Sequence, residues 1–130
     1  MSNEVALALL KKLGKGFNNG DVDAILDCVT DDFEWILAEG PDAPHGKVVH
    51  GREGVAATMA ARAKAIPELR FSETDLIYAG DRVIGTYRVT GCYADGRRID
   101  ARGCDLYVIR DGKIARKDSY WKHIAASDAG

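Results

Sequence analysis

The stretch from Arg82 to His123 reads as three consecutive strands joined by two tight turns, Asp95-Gly96 and Asp111-Gly112, with a single acid, Asp105, set among small and apolar residues. Strands connected this tightly can only run antiparallel, as a meander. A strand face that curls round a core carries apolar groups, so a carboxylate on it must be paired, protonated or chemically engaged. Asp105 is therefore the first candidate for chemistry.

With 130 residues the chain is long enough for one domain with its own core, and residues 1–130 are read as a single domain. Eighteen basic against twenty acidic side chains, with no block of one sign, give no electrostatic footprint for nucleic acid or an acidic membrane. Met1-Ser2-Asn3-Glu4 lacks a basic leader region, and no apolar run approaches the roughly 18 residues of a membrane span. The expectation is a soluble, cytoplasmic protein. Cys28, Cys92 and Cys104 form no CxxC pair, and His45, His50 and His123 fall in no ligand spacing, so neither a metal nor a cofactor is expected.

Val5, Leu9, Leu10, Leu13 and Phe17 recur at helical spacing with Lys11, Lys12 and Lys15 off the stripe, which predicts an amphipathic helix. Ser2 or Asn3 can cap its start and Asn19-Gly20 its end, after which Asp21 can cap a shorter helix carrying Val22, Ile25, Leu26 and Val29. Phe33, Trp35 and Leu37 alternate with Glu34, Ile36 and Ala38 in a half-buried strand that continues to Glu39, on the Trp35 face, before Gly40-Pro41-Asp42-Ala43-Pro44 forces a loop. A third helix with Val55 and Met59 follows Gly51 and stops before Pro67, and another strand occupies Leu69 to Tyr78.

If Asp95-Gly96 is a two-residue hairpin turn, Thr86 faces Asp105, Arg88 faces Gly103 and Thr90 faces Ala101. Arg88 then lies diagonal to Asp105, where it can hold the acid ionised, share a polar ligand with it, or form a purely structural ion pair. The second turn leaves two registers open. A two-residue Asp111-Gly112 turn places Asp118 opposite Asp105, whereas a three-residue turn with a bulge at Gly112 places Lys117 there and turns Lys117, Ser119 and Trp121 inward.

Asn18-Asn19-Gly20-Asp21 after the first helix, Asp31-Asp32 before the first strand, His50-Gly51 before the third helix and Arg110-Asp111-Gly112-Lys113-Ile114 before the last strand are individually turn and cap chemistry. In this order, over nearly the whole chain, they resemble the NTF2-like superfamily, in particular its SnoaL-like and ketosteroid-isomerase-like branches. The resemblance implies an α+β fold in which a curved antiparallel sheet wraps over three helices as a cone, with a deep apolar pocket and, commonly, a homodimer.

It also implies roles. Asp105 falls on the position of the oxyanion-side aspartic acid of ketosteroid isomerases, a protonated hydrogen-bond donor. The general-base position of that family holds Leu37 and its tyrosine position Leu13, so the isomerase triad is not matched, and Glu39 stands as a displaced base or as a loop-edge glutamate. Arg88 matches the arginine of limonene-epoxide hydrolases, whose acids are replaced by Thr90 and Ser119 unless Asp118 takes the second role. SnoaL-like cyclases require one acid-base group in an apolar cavity, which Asp105 can supply. Trp35, Met59, Tyr107 and Trp121 are read as walls suited to a flat apolar molecule, or simply as core. Tyr87, Val89, Leu106 and Val108 are read as a second apolar face that a homodimer would cover. Two functions are carried forward: an acid-base isomerase or cyclase, and a noncatalytic small-molecule-binding or dimerisation module.

Overall fold

The computed structural model describes residues 2–125. Helix α1 (Asn3–Asn19) begins where the Ser2 side chain accepts the Val5 N–H at 3.2 Å, a cap worth about 1 kcal/mol. Its buried face is Ala6, Leu10, Leu13 and Phe17. The helix ends at Gly20, whose left-handed φ of 64° lets the Asp21 N–H reach back to the Gly16 carbonyl at 2.8 Å. The Asp21 carboxylate then accepts the Ala24 N–H and starts α2 (Val22–Asp27).

The remaining elements are β1 (Val29–Asp42), β2 (Gly46–His50), α3 (Gly51–Ala65), β3 (Arg70–Ala79), β4 (Arg82–Cys92), β5 (Arg98–Arg110) and β6 (Lys113–Trp121). The six strands form one curved, unclosed sheet in the order β2-β1-β6-β5-β4-β3. Every neighbouring pair is antiparallel except β1 with β6, which is parallel. The sheet is thus mixed rather than wholly antiparallel, because the chain leaves β1 and returns beside it as β6 only after β2, α3 and three further strands. β2 was absent from the sequence reading: β1 extends through Pro41 to Asp42, beyond its last regular pair, Leu37 with Lys47, and doubles back.

The β4–β5 hairpin is where the structure and the sequence reading part. Tyr93 N–H bonds the Arg97 carbonyl, so the loop is the three residues Ala94-Asp95-Gly96, with Gly96 at φ 94°. Asp105 pairs with Gly85 and Arg88 with Arg102. One residue of slip exchanges the faces: Tyr87 and Val89 point inward and Arg88 outward. In the β5–β6 hairpin the turn is Asp111-Gly112 with both residues at positive φ, and the extra residue sits downstream at Ala115. Asp105 pairs with Ser119 and Tyr107 with Lys117, which turns Lys117 and Ser119 inward and Asp118 outward.

The inner face packs against the helices through Phe17, Phe33, Trp35, Val55 and Ile114, all at most 8% exposed. Large side chains buried this completely each contribute about 1.5–3 kcal/mol of transfer free energy. Asn18 fixes α1 to the sheet: its amide accepts the Phe71 N–H at 2.9 Å and donates to the Phe71 carbonyl at 3.1 Å. No helix among the described residues is long and apolar enough to cross a membrane.

Candidate functional site

Asp105 reaches the interior from the middle of β5, and only 4% of it is exposed. Three donors converge on its carboxylate. Tyr87 Oη from β4 lies 2.7 Å from Oδ1, Tyr107 Oη lies 2.9 Å from Oδ2, and Lys117 Nζ from β6 lies 3.2 Å from Oδ2. Asp105 therefore acts as an acceptor here, the reverse of the donor role that the ketosteroid-isomerase resemblance implied. Trp121 Nε1 in turn donates to Tyr87 Oη at 3.0 Å, and Lys117 Nζ donates to Ser119 Oγ at 3.1 Å. The result is a connected polar chain from Trp121 to Ser119 inside an apolar shell, and such networks hold their members in one geometry.

Gly103 makes room for it. A Cβ there would stand 2.8 Å from Trp121 Cδ1 and 3.0 Å from Tyr87 Cε1. Gly85, directly across from Asp105, leaves the floor of an adjoining cavity open. That cavity, about 230 Å³, lies between α1 and strands β3 to β6. Leu10, Phe17, Phe71 and Leu76 give it apolar walls, and Tyr87, Asp105, Tyr107 and Lys117 supply its polar end.

Burial sets the electrostatics. It pushes the Tyr87 and Tyr107 phenols well above the ordinary tyrosine value, and the Asp105 charge pushes them further, so both remain protonated donors. Burial also pulls the Lys117 ammonium below its ordinary value, against the attraction of Asp105, and the nearby Arg62 charge pulls in the same direction. Lys117 is caged by aromatic faces, 4.8 Å from the Phe17 ring centroid and 5.5 Å from that of Trp35.

Asp105, Tyr107, Lys117, Ser119 and Trp121 are thus brought together, with Trp35 against Lys117. Four other candidates are not part of this cluster. Arg88 lies on the outer face, paired with Asp100 at 2.7 Å and with Glu73 at 3.7 Å, because the three-residue loop reverses its parity. Asp118 also faces outward and accepts a hydrogen bond from Tyr120. With Arg88 outside, the Asp-Arg-Asp arrangement of an epoxide hydrolase cannot form around Asp105. Glu39 is exposed at the rim, where it accepts the Tyr93 hydroxyl. Met59 packs in the core beside a separate cleft that Arg62 also lines. Trp35 is wholly buried, with its ring against Phe17, and Trp121 borders a cleft at the α3 side.

Two residues that the sequence reading did not assign to the site belong to this interior. Tyr87 was placed on the wrong face by the assumed turn. Arg62 continues the helical stripe Val55, Met59 of α3, and a charged residue on an otherwise apolar stripe was a signal available in the sequence.

The SnoaL-like domain family profile matches residues 11–117. A proposed polyketide cyclase from Xanthomonas campestris pv. campestris superposes with a TM-score of 0.79 at 25% identity, covering 92% of this chain and 91% of that one. An NTF2-like protein from Burkholderia xenovorans LB400 gives 0.80 at 22% identity over 94% and 92% of the two chains. TerC, co-crystallised with polyporic acid, gives 0.78 at 20% identity over 91% and 92%. No curated protein matches the chain. The NTF2-like architecture and the extent of the profile match agree, and the chain belongs to the SnoaL-like domain family.

Proposed function

We propose that the protein is a cofactor-independent acid-base enzyme, an isomerase or polyketide-cyclase type, that acts on a small hydrophobic carbonyl compound. The observation that carries this reading is the Asp105 carboxylate, buried yet bordering an apolar cavity, with the Lys117 ammonium 3.2 Å away. A substrate carbonyl directed at Lys117 would place its α-carbon near Asp105. The C–H proton passes to the carboxylate, and the electron pair moves onto the carbonyl oxygen, where the ammonium stabilises the enolate. Asp105 then returns the proton to a different carbon in an isomerisation. In a cyclisation, the enolate carbon bonds to a second carbonyl and the proton goes to its oxygen. The polyketide-cyclase description of the Xanthomonas relative supports this class of chemistry.

The test is α-hydrogen exchange on β-tetralone in D2O, followed by proton NMR. Acceleration of about a hundredfold or more, lost in Asp105→Asn, is expected from general acid-base catalysis. An Asp105→Asn variant that exchanges as fast as the wild type removes Asp105 from the chemistry.

A second reading, a noncatalytic binding module for a small apolar molecule, draws on the same three donors, because they already occupy the carboxylate from within the protein. On either reading a homodimer is part of the proposal. Ile77, Ile84 and Leu106 are cross-strand partners in one apolar row on the outer sheet face, and Ile77 and Leu106 are 52% and 40% exposed. Sedimentation that shows a monomer at every concentration would remove the dimer.

A further inference from the structure

The interior holds more positive than negative charge. Asp105 is shared by Lys117 and, at longer range, by Arg62, whose charge it stabilises. The Arg62 carbonyl accepts the Ile66 N–H, but its guanidinium has no hydrogen bond and no carboxylate within 4 Å among the described residues. Its guanidinium lies 4.9 Å from the Trp35 ring centroid and 5.9 Å from that of Trp121, half-buried between two clefts of about 340 and 570 Å³. Guanidinium presents five N–H donors in a planar fork suited to two oxygens at once, and here none is used within the protein. The buried Trp35 Nε1 is a second donor without an acceptor. Buried donors are ordinarily satisfied, and the half-buried Arg62 fork, unused by the protein and open to two clefts, is the group to which an acceptor can come.

The surroundings point the same way. The chain as a whole carries a net charge of -2, yet the larger cleft that Arg62 lines holds Arg70 as its other charged residue and no acid. A low-dielectric cleft lined by one sign of charge concentrates ligands of the opposite sign. Glu39 lines the smaller cleft with Arg62 and accepts the Tyr93 hydroxyl, but forms no ion pair with the guanidinium among the described residues.

We propose that Arg62 is an anion-recognition residue, and that its ligand is a flat apolar molecule carrying one carboxylate, which the Arg62 fork binds while the apolar body lies against Trp121 and Tyr93 in the cleft they share with it. This deepens the proposed function and rests on its reading of the interior as a ligand site. It adds a polar anchor at the α3 side, and it requires no change at Asp105.

The test uses 2-naphthoate and its neutral isostere 2-naphthamide, with binding measured by calorimetry and by the shift in melting temperature. Naphthoate is expected to bind the wild type about tenfold or more tighter than naphthamide, as a charge-assisted bidentate pair should. Arg62→Met should erase that preference and leave naphthamide binding unchanged. Arg62→Lys, which keeps the charge but not the fork, should retain only part of it. Equal affinity of the two probes for the wild type overturns the anion assignment and leaves the interior a ligand site. Absence of binding by either probe at millimolar concentration overturns both. The tetralone exchange experiment reports on Asp105 independently, so failure of the anion assignment and failure of the catalytic reading are told apart.

Discussion

Lys117 Nζ stands 3.2 Å from Asp105 Oδ2, and the two side chains are only 5% and 6% exposed. A pair this deep gains strong attraction, but it also loses the hydration of both ions. Its members are therefore asymmetric in their effect: removing one leaves the other buried and uncompensated. Lys117→Met is expected to lower stability to urea by about 3–5 kcal/mol. The double variant with Asp105→Asn should lose clearly less than the sum of the two single losses. Additive losses would show that the pair is not coupled.

The buried phenols give the fold a defined alkaline limit. Tyr107 has a folded pKa raised by burial and by Asp105, so the stability it contributes is complete below about pH 10 and is lost as pH rises from there through the folded value. Lys117 has the opposite sign. Its folded pKa is lowered, the unfolded chain binds more protons between that value and about 10.4, and the cost of burying it is relieved as pH rises through that window. Urea titrations between about pH 8 and 11 separate the two effects. Tyr107→Phe should flatten the decline above pH 10 by about 1.4 kcal/mol per pH unit. Lys117→Met should remove the rise that precedes it.

Gly103 is a packing requirement of the polar chain. An alanine there meets Trp121 Cδ1, the Tyr120 carbonyl and Tyr87 Cε1, all within 3.0 Å. Gly103→Ala should cost about 1–3 kcal/mol through forced displacement. Because Trp121 and Tyr87 are the groups displaced, the Trp121 fluorescence should shift along with the melting temperature. An unchanged spectrum and melting point would mean that β5 and β6 adjust freely.

Arg88 serves as the control for the register. Its partners Asp100 and Glu73 are exposed, and it faces away from Asp105. Arg88→Ala should leave both tetralone exchange and naphthoate binding within about twofold of wild type, since exposed ion pairs contribute little. A large loss of either would return Arg88 to the site.

Much of the fold was legible because its signals are local. The stripe of Leu10, Leu13 and Phe17, with Ala6 inward in place of the exposed Val5, the Ser2 and Asp21 caps and the Gly20 stop each depend on residues within one or two turns. The interior position of Asp105 was legible too, from a lone acid in an apolar strand. The identity of its partners was not. Asp95-Gly96 is compatible with a loop of two or three residues, and that one residue decides whether Tyr87 or Arg88 looks inward. The bulge at Ala115 has no marker such as glycine, so the inward turn of Lys117 and Ser119 remained one of two options.

By itself the sequence determined the helices, the strand-rich second half, the family resemblance and the presence of an acid in the core, because periodicity, capping and turn chemistry act between near neighbours. The tertiary structure decided the parallel pairing of β1 with β6, the convergence of Tyr87, Tyr107 and Lys117 on Asp105, and the placing of Arg62 between Trp35 and Trp121. Apart from Tyr107, which stands two residues from Asp105 on the same strand, these contacts join residues well separated in the chain. They depend on register and on the packing of α3 across the sheet, which no local pattern encodes.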